Sequence, residues 1–333
     1  MREVSLWVVA VTTLAMSLLN NATPRDSWPH TMSITVDDNV KLEVLDWGGS
    51  GRSLVFLAGL GDTAHVFDEF APKLTEKYHV YGITRRGFGA SSAPIPSSAN
   101  YSADRLGDDV LAVIDSLKLD RPVLVGHSMA GEELSSVGSR HPDKVAGLIY
   151  LEAAYSYAYY DRAQGDLLLD ALELRKKLEQ FVPGKGPQDQ KPLEQELLQT
   201  DLPRFETDLQ EQQKVLQSMS PRTQRPDDVP PAVQAILAGE QEFTNVPVPI
   251  LAIFANPHDL GSMFKDDPAA RSAAVARDVA YTGTQAKAVQ TGLPTSRVVQ
   301  LPNADHYVFQ SNESDVLREM NAFLNSLPSA GVR

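Results

Sequence analysis

The chain has 333 residues, of which 42% are hydrophobic and 22% charged, a balance that excludes a disordered protein and suits one large α/β domain with an insertion. Its formal net charge is −13 and no run of Lys and Arg interrupts that excess, so nucleic acid is excluded as a partner. It contains no cysteine, which excludes disulfides, a thiol nucleophile and thiolate metal sites, and leaves the redox compartment open.

Residues 4–19 are almost wholly apolar and are broken by Asn20, Asn21, Thr23, Pro24 and Arg25. Sixteen residues are short for a hydrocarbon core of about 30 Å, and the stretch has no polar face. Residues 1–24 are therefore expected to be a signal peptide or an N-terminal anchor, which places the protein in a secreted or periplasmic setting. Membrane contact is expected only through this segment. Runs at 31–36 and 41–47 flank the turn-forming Asp37-Asp38-Asn39 and predict an antiparallel hairpin. Residues 53–57 form a short apolar run that predicts a strand buried on both faces.

Strands and helices then alternate: a helix over 67–74, a strand over 79–83 and an amphipathic helix over 103–117. A strand over 122–125, a helix over 128–140 and a strand over 145–151 follow. Residues 156–245 hold charged, helix-like stretches at 167–180 and 193–219, and no strand pattern. The strand pattern returns at 248–254, followed by an Ala-rich helix over about 267–290, a strand over 296–301 and a helix over 314–327. The fold class expected is α/β, with a mostly parallel sheet covered by helices on both faces and a helical cap inserted after the sixth strand. The core then comprises residues 25–155 and 246–333, with the cap at 156–245.

The most informative segment is 121–131, where a buried strand runs into Gly126-His127-Ser128-Met129-Ala130 and on into a helix. This is the context of a nucleophile elbow, in which a tight turn lifts the serine hydroxyl clear of the sheet. The second glycine of the usual G-x-S-x-G is Ala130 here, with Gly131 one place later. A helix N-cap serine is the alternative.

A serine hydroxyl needs a base. Of the seven histidines only His306 lies beyond His258, in the loop between the last strand and the last helix, where the order Ser, acid, His requires the base. His127 sits inside the elbow and is expected to orient that turn or line the site. The acid that orients an imidazole should end a strand at the same sheet edge. Asp259, after the strand at 248–254, leads; Glu152, which ends the preceding strand, is the alternative acid, and Asp305 is weaker. An oxyanion hole takes two backbone N–H groups. Met129, following the nucleophile, supplies one; Leu60, in Ala58-Gly59-Leu60-Gly61-Asp62, is expected to supply the other. Residues 84–92 form a Gly- and Ser-containing turn expected to support the site. No cofactor and no metal are expected, since neither a Walker loop, nor a dinucleotide fingerprint, nor metal-ligand spacing is present.

Together these residues resemble the α/β-hydrolase superfamily, in the branch of small carboxylesterases, C–C bond hydrolases, proline iminopeptidases and cofactor-free haloperoxidases. The resemblance spans residues 31–155 and 246–328. It departs from the family's pattern at Ala58, where a His is usual, at Thr84, where an Asp often precedes the Arg-Gly turn, and at Ala130. It implies that 156–245 cover the site. The cluster Tyr155, Tyr157, Tyr159 and Tyr160 would then line an acyl or alcohol pocket or pack the hinge.

The function expected is hydrolysis of a carboxylic ester or related acyl compound, with a small-molecule acyl substrate as partner and the oligomeric state left open. Aminopeptidase, lactonase, thioesterase and C–C hydrolase chemistry use the same groups, as does acyl transfer to an alcohol. A binding protein that keeps the fold is the non-enzymatic alternative. A serine nucleophile disfavours the alkyl-enzyme route of epoxide hydrolases and haloalkane dehalogenases.

Overall fold

A computed structural model describes residues 29–218 and 229–328 of the chain. The expected leader lies outside the described residues, among which no helix is long and apolar enough to cross a membrane.

Eight strands form one sheet: β1 (His30–Asp37), β2 (Val40–Gly48), β3 (Ser53–Leu57), β4 (His79–Ile83), β5 (Val123–His127), β6 (Gly147–Leu151), β7 (Ile250–Ala255) and β8 (Ser296–Leu301). Their order is β1-β2-β4-β3-β5-β6-β7-β8. The β1–β2 hairpin and the β2–β4 pair are antiparallel, and every pair from β4 to β8 is parallel. Strands β5, β6 and β7 are buried along their whole length, which explains why they are continuous apolar runs without alternation.

Side chains from one strand still divide between two cores with period two. Val55 and Leu57 join Leu124, Leu148, Tyr150 and Phe254 on one face, while Leu54 and Phe56 join Val123, Val125, Ile149 and Ile253 on the other.

The helices are α1 (Ser98–Tyr101), α2 (Ala103–Ser116), α3 (Ala130–Arg140), α4 (Leu167–Glu179), α5 (Lys191–Glu196), α6 (Leu202–Ser218), α7 (Pro231–Leu237), α8 (Pro268–Gly292), α9 (Val308–Ser311) and α10 (Glu313–Ser326). The helix expected over 67–74 is instead a pair of 3₁₀ turns, Ala64–Phe67 and Ala71–Leu74. Pro72 supplies no N–H there, and the segment is too short to hold an α-helix against that loss. Its purpose is packing: Phe67 and Phe70 meet Phe56 and Phe309 with ring centroids 4.8–6.2 Å apart.

Between β6 and β7 the described residues form helices, turns and loops, and no strand occurs among them. Leu174, Leu193 and Leu197 form a small core of its own, with Phe181 and Phe205 packed against it. Tyr160 ties this segment down. Its hydroxyl donates to Asp170 at 2.5 Å, and Arg204 pairs with the same carboxylate at 2.7 Å while lying 5.5 Å above the Tyr160 ring. Tyr160 is therefore a packing residue; its ring is 1% exposed.

Candidate functional site

The sheet order creates one switch point. From β3 the chain crosses to β4 on one side, and later returns to β5 on the other, so the carboxyl ends of β3 and β5 open side by side. Such a crevice is where open α/β sheets bind ligands. Leu57 pairs with Gly126 across it, which sets the loop Ala58–Asp62 against the elbow. Next along, His127 pairs with Leu151, so Ser128 and Glu152 leave adjacent strands at the same level.

Both residues are backbone outliers: Ser128 and Glu152 each have φ of 53°, a region non-glycine residues seldom occupy. Ser128 is partly exposed, whereas its neighbours His127, Met129 and Ala130 are buried. The departures from the usual elbow have a local explanation. Gly126 leaves room for Ala130: a Cβ on Gly126 would stand 3.2 Å from the Ala130 Cβ and 2.6 Å from Leu134 Cδ1. The close approach of helix to loop falls to Gly131, where a Cβ would stand 1.9 Å from the Ala153 carbonyl oxygen. Gly131→Ala is accordingly expected to lower unfolding stability by about 3 kcal/mol in chemical denaturation, and an unchanged midpoint would contradict that packing.

Gly59 faces the nucleophile directly. A Cβ there would be 3.1 Å from Ser128 Cβ and 2.9 Å from His127 Nδ1. Gly61, at φ 90°, turns the loop, and the Asp62 N–H closes it on the Gly59 carbonyl at 3.3 Å. The buried Arg85 braces this loop from beneath: its guanidinium donates to the carbonyls of Ala58 at 3.2 Å and Gly59 at 3.4 Å, and to both oxygens of Glu133 on α3. Its neighbour Arg86 grips Asp109 on α2 with two contacts of 2.6 Å. The turn at 84–92 thus holds the loop that faces Ser128.

His306 arrives from the loop after β8. His127 Nε2 donates to the His306 carbonyl at 3.0 Å, and the two rings lie 4.7 Å apart. Burial, aided by the His306 charge, pulls His127 down to about 3, so its ring is neutral and serves as a brace. The Tyr307 hydroxyl donates to Asp62 at 3.1 Å and ties the same loop to the glycine loop.

The carboxylate beside His306 is Glu152. His306 Nδ1 stands 3.5 Å from Glu152 Oε2. The same oxygen accepts from His258 Nε2 at 2.7 Å and from the Tyr155 hydroxyl at 3.0 Å, and Oε1 accepts from the Ala255 N–H at 2.6 Å. Glu152 is 1% exposed. Burial alone would raise its pKa; hydrogen bonds and charge from His258 and His306 outweigh burial and hold it at about 2. With the folded value below the ordinary 4.5, the stabilisation from Glu152 is complete above pH 4.5 and is lost as pH falls through about 2. The difference in Tm between the parent and Glu152→Gln should shrink across that window; a constant difference would contradict it.

Asp259, the leading acid from sequence, does not meet His306. Its carboxylate is exposed and accepts from the Gly261 N–H at 2.9 Å, with Arg271 at 4.0 Å. The reason is alternation. The loop after β7 makes a parallel bridge, His258 to Ala304, and in such an extended segment successive side chains face opposite ways. His258 turns inward and Asp259 outward. Asp305 also faces solvent.

Glu152, His258 and His306 are the group of three, among the described residues, whose ligand atoms lie within 4.8 Å of one another. Within it, His258 Nε2 and His306 Nδ1 both approach Glu152 Oε2, so the three residues form a hydrogen-bonded chain. Of the tyrosines, Tyr155 reaches the site through Glu152, while Tyr157 is buried beside it.

The sequence profile of the α/β hydrolase fold matches residues 52–256, from β3 through β7. The chain belongs to the α/β-hydrolase fold family. Within that family, a fluoroacetate dehalogenase from a Burkholderia species is 34% identical over 116 residues, covering 34% of this chain and 38% of that protein. Epoxide hydrolase A of Mycobacterium tuberculosis is 34% identical over 132 residues, covering 39% of each chain. The chain thus spans about two-fifths of the length of these curated relatives. Among solved structures, a hydrolase from Pseudomonas aeruginosa superposes with a TM-score of 0.57 at 17% identity, covering 89% of this chain and 98% of the other. An N-acyl homoserine lactone degrading enzyme gives 0.54 at 19%, covering 88% and 100%. At these identities the two likenesses speak to the α/β-hydrolase fold alone.

Proposed function

We propose that the protein is a serine hydrolase that cleaves carboxylic esters, or closely related acyl compounds, through an acyl-enzyme. The observation that supports this most is the edge shared by β5 and β6: Ser128 sits in a left-handed turn at one strand end, and at the next a buried, ionised Glu152 faces His306 Nδ1. With Nδ1–H directed to the carboxylate, His306 keeps Nε2 as the base.

Ser128 Oγ attacks the acyl carbonyl as its proton passes to His306 Nε2. The carbonyl oxygen becomes an oxyanion, held by the backbone N–H groups of Met129 and Leu60. As the tetrahedral intermediate collapses, the C–O bond to the alcohol breaks and that oxygen takes the proton from His306. Water, deprotonated by His306, then attacks the Ser128 ester, and the acid departs as the proton returns to Ser128. Glu152 holds the imidazole in the required tautomer and stabilises its cation. The 3.5 Å approach is long for a hydrogen bond, as is common before substrate tightens such a site.

The likeness to a dehalogenase and an epoxide hydrolase supports a hydrolase of this fold, but the alkyl-enzyme route needs a carboxylate nucleophile, and this chain has Ser128. The test is a chain-length series of p-nitrophenyl esters. Turnover that varies with acyl length supports the reading and reports the acyl pocket. A folded parent that turns over none of them argues for a non-ester acyl substrate or for a binding role.

A further inference from the structure

His258 takes no part in the acyl transfer above, yet it makes the shortest side-chain contact to the proposed acid: 2.7 Å to Glu152 Oε2, against 3.5 Å for His306. Its other nitrogen, Nδ1, lies 2.9 Å from Asp278 Oδ1 on α8, and its backbone N–H donates to Asp278 Oδ2 at 2.7 Å. The ring is thus gripped at both nitrogens by carboxylate oxygens. Ionised carboxylates only accept hydrogen bonds, and an imidazole presents N–H at both nitrogens only as a cation. A neutral ring would point one lone pair at a carboxylate. The side chain is 6% exposed, so water does little to relieve that mismatch.

We propose that His258 is a positioning residue: an imidazolium clamped by Asp278 that fixes the Glu152 carboxylate beside His306 and sets how strongly that carboxylate favours a protonated His306. The role rests on the acyl-transfer reading, since it acts through Glu152. The groups facing His258 are Glu152 after β6, Asp278 on α8 and His306 after β8; Tyr155 donates to the same Glu152 oxygen and stacks on Tyr281 of α8, and Asp259, the neighbour of His258, turns away. Burial pulls the His258 pKa down, but hydrogen bonds and charge from Asp278 and Glu152 outweigh it and raise it to about 10. The folded value lies above the ordinary 6.5, so this stabilisation is complete below pH 6.5 and is lost as pH rises through about 10.

The clamp explains how a glutamate with a single approach to His306 keeps one orientation. His258 and Tyr155 hold Oε2 and the Ala255 N–H holds Oε1, so the carboxylate is fixed at both oxygens with Oε2 turned toward His306. It also places a cation near His306 that opposes a second one. Removing that cation while keeping an N–H should favour protonated His306.

The decisive comparison is the parent against His258→Gln, whose amide N–H can replace Nε2–H without the charge. In kcat/KM against pH for p-nitrophenyl acetate, the acidic limb of the variant is expected to move to higher pH by about one unit. A folded variant with an unmoved limb would show a purely structural histidine and overturn the proposal. In parallel, ¹⁵N NMR of the histidine-labelled parent should show His258 doubly protonated at pH 8, and Asp278→Asn should move its deprotonation to lower pH. A neutral His258 at pH 8, or a titration indifferent to Asp278→Asn, would also overturn it. The NMR arm needs no activity. If the parent hydrolyses no ester, the acyl-transfer reading fails while the state of His258 stays measurable, and if His258→Gln does not fold, the NMR arm decides alone.

Discussion

Replacing Ser128 by alanine is expected to reduce kcat for ester hydrolysis by a factor on the order of 10⁶, with the protein folded and still binding substrate. The fall is large because, on the proposed mechanism, the covalent route disappears as a whole: His306 would have no hydroxyl to deprotonate, and only the proposed backbone donors of Leu60 and Met129 would remain. Donors of that kind, with binding, leave a residual acceleration of about 10³–10⁴ over water. Stability should change little. Ser128 is partly exposed, and its turn is held by backbone contacts that alanine keeps, among them its N–H to the Leu151 carbonyl at 3.2 Å and its carbonyl to the Gly131 N–H at 2.9 Å. Alanine in the left-handed region pays only a modest added strain. A variant that keeps a tenth or more of parental turnover would remove Ser128 from the chemistry.

The second large effect separates two carboxylates. Glu152→Gln should lower kcat by about 10³–10⁴, because an amide cannot stabilise the His306 cation and can present its NH₂ to Nδ1, favouring the wrong tautomer. It also leaves the buried His258 cation facing a neutral group, so some loss of stability accompanies the loss of rate. Asp259→Asn should leave kcat within about twofold of the parent, as expected for an exposed side chain away from the chemistry. The reverse pattern, with Asp259→Asn inactive and Glu152→Gln active, would return the acid to the loop after β7.

The contrast between those two residues also shows what the sequence could reveal. The order of strands and helices was legible because buried parallel strands are short apolar runs and the covering helices carry a polar stripe, as at 53–57, 103–117 and 123–127. The elbow was legible because its residues are contiguous. Which carboxylate stands beside His306 was not, since Asp259 and Glu152 both follow strands at the same sheet edge, and the answer depends on which way one side chain faces. A bridge from His258 to Ala304 decides it, and nothing local to Ala255-Asn256-Pro257-His258-Asp259 announces a pairing with residues more than forty positions later. A partial signal existed in Glu152 itself: a carboxylate directly continuing the apolar run Gly147–Leu151 must be buried, and a buried carboxylate needs donors. His258, the closest of those side-chain donors, lies a hundred residues away in sequence, where nothing local marks it as a partner of Glu152. The short α7 is hard to see in sequence because Pro230 and Pro231 look like punctuation, although Pro at the first helical position suits a helix start. The 3₁₀ turns at Ala64–Phe67 and Ala71–Leu74 carried enough apolar spacing to imitate one helix, and Pro72 was the residue that argued otherwise.

A Ser128 nucleophile activated by His306 and Glu152 should react with a fluorophosphonate, and intact-mass spectrometry after exposure to one reads that reaction directly. One adduct per chain is expected, mapped by peptide sequencing to Ser128, with no adduct in Ser128→Ala and slowed labelling in both His306→Ala and Glu152→Gln. A folded parent that takes no label, or takes it at another serine, would show that Ser128 is not the activated nucleophile.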